Sequence, residues 1–103
     1  MAKMTVSDLV FKKLTEAGVG HIFTIAGGGA MFLNDSAYTN DDMEVVCNHH
    51  EQASSMAAVA YSKYTNNYSA VMVTTGCGST NAMTGLLEAW QDNVPVVFLS
   101  GQV

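Results

Sequence analysis

Basic side chains are scarce in this chain. Four of its 103 residues are lysine or arginine, scattered among nine acids, and the formal net charge is −5. Without clustered cations there is no electrostatic footprint for a phosphate backbone, which argues against nucleic acid as a partner. Long apolar runs are missing as well. No stretch approaches the roughly 18 residues of a membrane span, and the polar opening MAKMTVSD has no apolar centre of a secretory signal. Cysteine is limited to Cys47 and Cys77, far apart and in no CxxC arrangement, so no disulfide framework or paired redox motif is expected. Two reduced thiols, read as small buried hydrophobes, fit a cytoplasmic protein.

What the chain does have is apolar surface. Hydrophobic residues make up 49% against 13% charged, and seven methionines add adaptable contact area, a high proportion for one small domain. Part of that surface is expected to face another protein.

The order of elements follows from periodicity. Thr5 with Asp8 three residues on is a capping-box variant; Val6, Leu9, Val10, Leu14 and Ala17 keep a helical stripe over residues 6–17 until Gly18 closes it. HIFTIA (21–26) is a β-rich run ending in Gly27-Gly28-Gly29, and AMFLNDSAY then predicts a brief helix. The pattern repeats with EVVC (44–47) before a helix over 51–64, and with SAVMVTT (69–75) before GCGSTN and a helix to about Gln91. VPVVFLS (95–100) is the fourth strand. Ala53, Met56, Ala57, Ala60, Tyr61 and Tyr64 share one helical face, as do Met83, Leu86, Leu87 and Trp90. Near-continuous apolar strands suit a parallel sheet covered on both faces. The expected fold is α/β: three layers, an open parallel sheet in the flavodoxin-like order with helices on both faces, cut short after the fourth strand. In such a sheet the turns that follow the strands gather at the carboxyl edge, where ligands bind.

Three motifs lie at that edge. Gly27-Gly28-Gly29 fails the dinucleotide fingerprint because its third glycine would fall on Phe32. Gly76-Cys77-Gly78-Ser79-Thr80-Asn81 has the strand-to-helix setting of a phosphate loop without the Gly-Lys-Ser/Thr ending, and reads equally as a tight turn. His50-Glu51-Gln52-Ala53-Ser54 opens like HExxH, but Ser54 stands where the second zinc ligand belongs, so no metal site is assigned here. Cys47, His49 and His50 lack the further ligands that would make them converge on a metal. Glu51 itself has two readings. One is an acid stabilised by about 0.3–1 kcal/mol at the positive end of its helix; the other is an acid held for chemistry. Spacing leaves that choice open.

Taken together, HHEQASSMAAVAYSKYT and VMVTTGCGSTNAMTGLLEAWQDNVPVVFLSGQV resemble the pyrimidine-binding (PYR) domain of thiamine diphosphate enzymes of the acetolactate synthase and pyruvate oxidase group. That family has a His-Glu-Gln-Ala helix start, a Thr/Ser-Gly-Pro-Gly-x-x-Asn turn, and an Asp-x-x-Pro strand leading to Gly-Gln-Val. The resemblance runs over essentially the whole chain, residues 1–103, with Cys77 in place of the turn's proline. It implies that Glu51 is the catalytic acid that hydrogen-bonds ring nitrogen 1′ of the cofactor's aminopyrimidine. In a poorly solvated interface the charged form of such an acid is disfavoured, so it can hold and pass a proton, which readies the cofactor for a 2-keto acid. Gly28, Thr75, Gly76 and Asn81 match positions that border the pyrimidine or shape its pocket.

The resemblance also implies parts that this chain does not carry. The diphosphate and its Mg2+ belong to a separate PP domain with a Gly-Asp-Gly…Asn signature, in the same or another subunit of a homo-oligomer, and the parent enzyme leaves room for FAD. The expectation is the N-terminal portion of a PYR domain, inactive without a PP partner. Two other readings remain. One is a non-catalytic α/β module for assembly or regulation; the other is a flavodoxin-like nucleotide binder using the GCGSTN turn.

Overall fold

The computed structural model describes residues 3–103. Its four parallel strands are β1 (His21–Thr24), β2 (Glu44–Cys47), β3 (Ser69–Val73) and β4 (Val96–Ser100), and they lie in the order β2-β1-β3-β4. The helices are α1 (Val6–Glu16), α2 (Met31–Tyr38), α3 (Glu51–Thr65), the short α4 (Cys77–Asn81) and α5 (Met83–Gln91). The expected α/β architecture and strand order are both present. Because β1 has β2 on one side and β3 on the other, the connections leaving β1 and β3 run in opposite directions. The crevice between them is the switch point of the sheet.

Two packed layers explain why the strands are apolar throughout. Along β3 every residue is buried, and alternate side chains serve opposite faces. Ala70 and Met72 join Phe11, Ile22 and Ala37 under α1 and α2, whereas Val71 and Val73 join Phe23, Ala58 and Ala82 under α3 and the α4–α5 junction. Helix α1 starts as its sequence dictates: the Thr5 hydroxyl accepts from the Asp8 N–H at 3.1 Å. The Asp8 carboxylate also accepts from the Ser36 hydroxyl at 2.6 Å and ties α1 to α2.

The structure departs from expectation in which helix faces are buried. On α1 the buried residue is Phe11, outside the assigned stripe, while Val6 and Leu9 are exposed. On α3 the buried face is Ser54, Ser55, Ala58, Val59 and Ser62, and Met56 and Tyr64 point outward. On α5 it is Gly85 and Ala89, leaving Met83, Leu86, Leu87 and Trp90 exposed. Small residues win because α3 and α5 pack close together, and the buried hydroxyls find partners that offset their desolvation. Ser54 donates to Asn48 Oδ1 at 3.0 Å, Ser55 to the Gln52 carbonyl at 2.8 Å, and Ser62 pairs with Ser69 at 2.6 Å. The thiols depart too: Cys47 and Cys77 are exposed, one at the end of edge strand β2 and the other opening α4.

Element ends differ modestly. Strands β1 and β3 stop at Thr24 and Val73, two residues short of the apolar runs; the helix expected to end near Gln91 is present as α5, and the turn expected before it is itself the short helix α4, separated from α5 at Ala82. There the Ala82 N–H bonds back to the Ser79 carbonyl at 3.1 Å, a tighter turn than an α-helix, and the Ala82 side chain drops into the core.

Gly85 is the tightest point between α3 and α5. A Cβ there would overlap the Ser55 side chain and lie 2.8 Å from the Ser55 carbonyl carbon. Replacing glycine by alanine inside a helix ordinarily stabilises by about 1 kcal/mol. Here overpacking of about 1–3 kcal/mol opposes that gain. Gly85→Ala is therefore expected to lower the urea midpoint of unfolding, and adding Ser55→Gly to restore part of it. A raised midpoint in the single variant would contradict the observed packing.

Candidate functional site

Three segments meet above the carboxyl ends of β1 and β3. The first is the turn Gly27-Gly28-Gly29, whose Gly29 N–H donates to Thr74 Oγ1 at 3.1 Å, while Asn34 Nδ2 donates to the Gly27 carbonyl at 3.2 Å. A methyl group on Gly27 would overlap the Thr74 side chain, and one on Gly29 would overlap that of Thr75. Glycine is needed at these two positions so that the turns can touch.

The second segment is Thr75–Asn81. Gly76 has φ +59° and ψ −118°, a backbone region that side chains with a Cβ avoid. That bend lets the Gly78 N–H reach the Thr75 carbonyl at 3.2 Å and starts α4. Ser79 then fastens α4 to the sheet: its hydroxyl donates to the Thr74 carbonyl at 2.8 Å and pairs with the Ser100 hydroxyl at 2.5 Å.

The third is the start of α3. His50, not one of the usual capping residues, caps it: Nδ1 accepts from the Gln52 N–H at 3.1 Å. Glu51 follows as the first helical residue, and its Oε2 accepts from Asn81 Nδ2 at 3.1 Å. A Cβ on Gly78 would lie 3.5 Å from Glu51 Oε1 and 2.7 Å from Thr74 Cγ2. One carboxylate oxygen is therefore anchored and the other faces a backbone without a side chain.

The electrostatics of Glu51 differ from the expectation of an acid whose charge is disfavoured. Its own backbone N–H, and then the Asn81 amide, hold its carboxyl below the usual carboxylate range. Partial burial pushes the other way, and His50 adds a smaller downward pull. Glu51 is half-buried, so this chain by itself presents it as a carboxylate at the positive end of a helix.

Of the residues singled out in sequence, Glu51 and Asn81 are joined directly, and Gly76 with Thr75 forms the bend that presents Asn81. Gly28 is exposed, and a methyl there would meet nothing within 4 Å, so no contact inside the chain demands glycine. Thr74, Gly78 and His50 also build the site. The periodicity that placed Thr74 in a strand concealed it, while Gly78, already visible in the quoted turn, waited on three-dimensional contact to acquire a role. Among the described residues, no three His, Cys, Asp or Glu side chains converge as a metal site.

A sequence profile of thiamine pyrophosphate enzymes, the N-terminal TPP binding domain, matches residues 4–103. The chain belongs to this family. It is 38% identical to the acetolactate synthase large subunit of Haemophilus influenzae over 103 residues, which is 100% of this chain and 18% of that protein. To the large subunit of acetolactate synthase isozyme 3 of Escherichia coli it is 35% identical, again over 100% of this chain and 18% of the relative. A solved structure of a candidate thiamin diphosphate-dependent enzyme from Mycobacterium smegmatis superposes with a TM-score of 0.86 at 26% identity. That match covers 98% of this chain and 19% of the other. The chain thus spans less than a fifth of the length of the relatives it matches.

The residues present fit the pyrimidine half of the family's cofactor. A flat heterocycle with ring nitrogens needs an acid at its edge and main chain without side chains beside it, and Glu51 Oε1 over Gly78 offers both.

The charge of Glu51 has a consequence for stability. A carboxyl whose folded-state pKa is depressed adds stability above its unfolded pKa and loses it as pH falls through the folded value. Glu51→Gln is expected to cost roughly 0.3–1 kcal/mol at pH 7 and low salt, the size of a helix N-terminal charge. The difference from the parent should vanish once the pH drops below the ordinary carboxylate range. Urea titrations of both proteins at several pH values check this.

Proposed function

We propose that this chain is the pyrimidine-binding part of a thiamine diphosphate-dependent carboligase or decarboxylase, acetolactate synthase-like, acting on a 2-keto acid. The observation that carries this reading is Glu51: a carboxylate at a helix start, in the switch-point crevice, with one oxygen held by Asn81 and the other over Gly78. Family membership supports the cofactor class. Bound thiamine diphosphate supplies an electron sink for making or breaking the bond beside a keto group. With the cofactor in place, Glu51 would hold or pass a proton at Oε1 toward ring nitrogen 1′. Gly28, Thr75 and Gly76 would border the ring, and Asn81 belongs to the same pocket wall.

A carboxylate depressed by a helix end passes a proton poorly until it is desolvated. We assign that desolvation to the covering PP domain, which also holds the diphosphate and Mg2+; FAD, where the parent binds it, lies outside these residues. The chain alone is expected to be inactive. In the complete enzyme, Glu51→Gln is expected to slow exchange of the cofactor's carbon-2 proton with solvent by about 10²–10⁴-fold, the usual worth of a positioned acid–base group. Exchange at the parental rate would refute the role. Absence of any stabilisation of the complete enzyme by thiamine diphosphate would favour a non-catalytic assembly module instead.

The outward face of α5 fits a homo-oligomeric enzyme. Met83, Leu86, Leu87 and Trp90 are 57%, 45%, 55% and 82% exposed, an apolar stripe of a size that marks protein contact. The chain is expected to self-associate with rising concentration in sedimentation runs, and Leu87→Asp to move it toward monomer. A clean monomer at every concentration before the substitution would contradict this.

A further inference from the structure

Asn81 carries the pattern of a residue that acts through another. Its Nδ2 donates to Glu51 Oε2 at 3.1 Å, across 30 positions of sequence. Its own position is fixed by the chain around it. Gly76 bends the backbone, the Thr80 N–H reaches the Gly76 carbonyl at 3.1 Å, and Ser79 bonds both the Thr74 carbonyl and the Ser100 hydroxyl. The donor is thereby tied to the sheet. A glutamate side chain has three rotatable bonds, and at a helix start its carboxylate can turn to solvent. Its own N–H and the amide of Asn81 together hold one arrangement from that set, and of the two only Asn81 reaches it from another element.

We propose that Asn81 is the positioning residue for Glu51, dividing the work of its two oxygens: Oε2 is the anchor, and Oε1, over Gly78, is the oxygen that meets a bound heterocycle. This differs from a pocket-lining role for Asn81, and its bearing on the cofactor rests on the function proposed above. Asparagine suits the task. An amide donates to the carboxylate without adding charge, whereas aspartate of nearly the same shape would set two carboxylates against each other and force them to share a proton.

The titratable groups around Glu51 are few. His49 and His50 precede it, Cys77 is the one titratable residue on α4, and the glycine turn after β1 brings none. Glu88 on α5 and Asp92 just after it are engaged by Lys63 near the far end of α3, at 3.1 Å and 2.6 Å.

The test is a carbon-13 NMR titration of the Glu51 carboxyl in this chain. In the unmodified chain, the Asn81 side-chain amide protons should titrate with the same midpoint as Glu51; no pH response in that amide overturns the proposal without any variant. Asn81→Ala should move the Glu51 midpoint upward. Asn81→Asp should move it further and split it into two steps, a response that loss of packing alone would not give. Unchanged midpoints in both variants, with amide spectra otherwise superimposable, also overturn it. In the complete enzyme the Glu51 resonance should shift when thiamine diphosphate is added. If that shift is missing while the Asn81 coupling is intact, the proposed function fails and the positioning role stands.

Discussion

Above β1 and β3, glycine backbone packs directly against threonine side chains and neighbouring main chain with no room for a Cβ, and this close approach positions the site. Gly29 reaches Thr74 through its N–H, and Gly101 lies so near the Gly29 carbonyl that a Cβ there would overlap it and stand 3.0 Å from the Ala30 nitrogen. Gly78 is equally close to Thr74. Each contact leaves no space for a Cβ, and packing this close deforms little. The parallel sheet makes the approach feasible by placing the turns after β1 and β3 side by side, and the opposite directions of their connections leave the crevice open. Glu51 reaches that crevice because α3 begins there, after the edge strand β2.

Much of this was legible in residues, and what was not has physical causes. The strands could be read because two-sided burial leaves apolar runs, and the strand order follows once right-handed crossovers are assumed. The importance of Glu51 was legible only as a family motif; composition left a helix-end charge and a chemical acid equally open. Its partnership with Asn81 spans 30 positions, and no local periodicity encodes that. The cap of α3 was hidden because His50 is not a usual capping residue.

The helix faces were misread for an instructive reason. Periodicity finds the largest apolar stripe and assigns it to the core, which holds when a helix packs through bulky side chains. Here α3 and α5 pack through Ser55 against Gly85, with Ala58 and Ala89 nearby on the buried faces, so the bulky stripe on α5 is displaced outward. Phe11 shows the same rule from the other side: as the largest side chain buried outright in the molecule, it sits among Val19, Ile22 and Ala37 and takes α1 with it, whatever the stripe beside it suggests. An apolar stripe exposed on a helix whose buried face is built of small residues is a statement about a second surface.

The acid–base balance at Glu51 carries the same lesson into chemistry. A helix start and an amide donor both favour the charged carboxylate, and partial burial opposes them without prevailing. An acid tuned only by the first two would hold its charge and have no proton to give a weakly basic ring nitrogen. An acid tuned only by burial would be neutral and free to turn. The two influences do different work: the donor fixes where the oxygen points, and desolvation sets how readily it takes a proton. Since the first is complete within this chain and the second is not, geometry can be built ahead of reactivity. The carboxylate is aimed before anything covers it, and closing a dry surface over Oε1 raises its proton affinity without any need to move it.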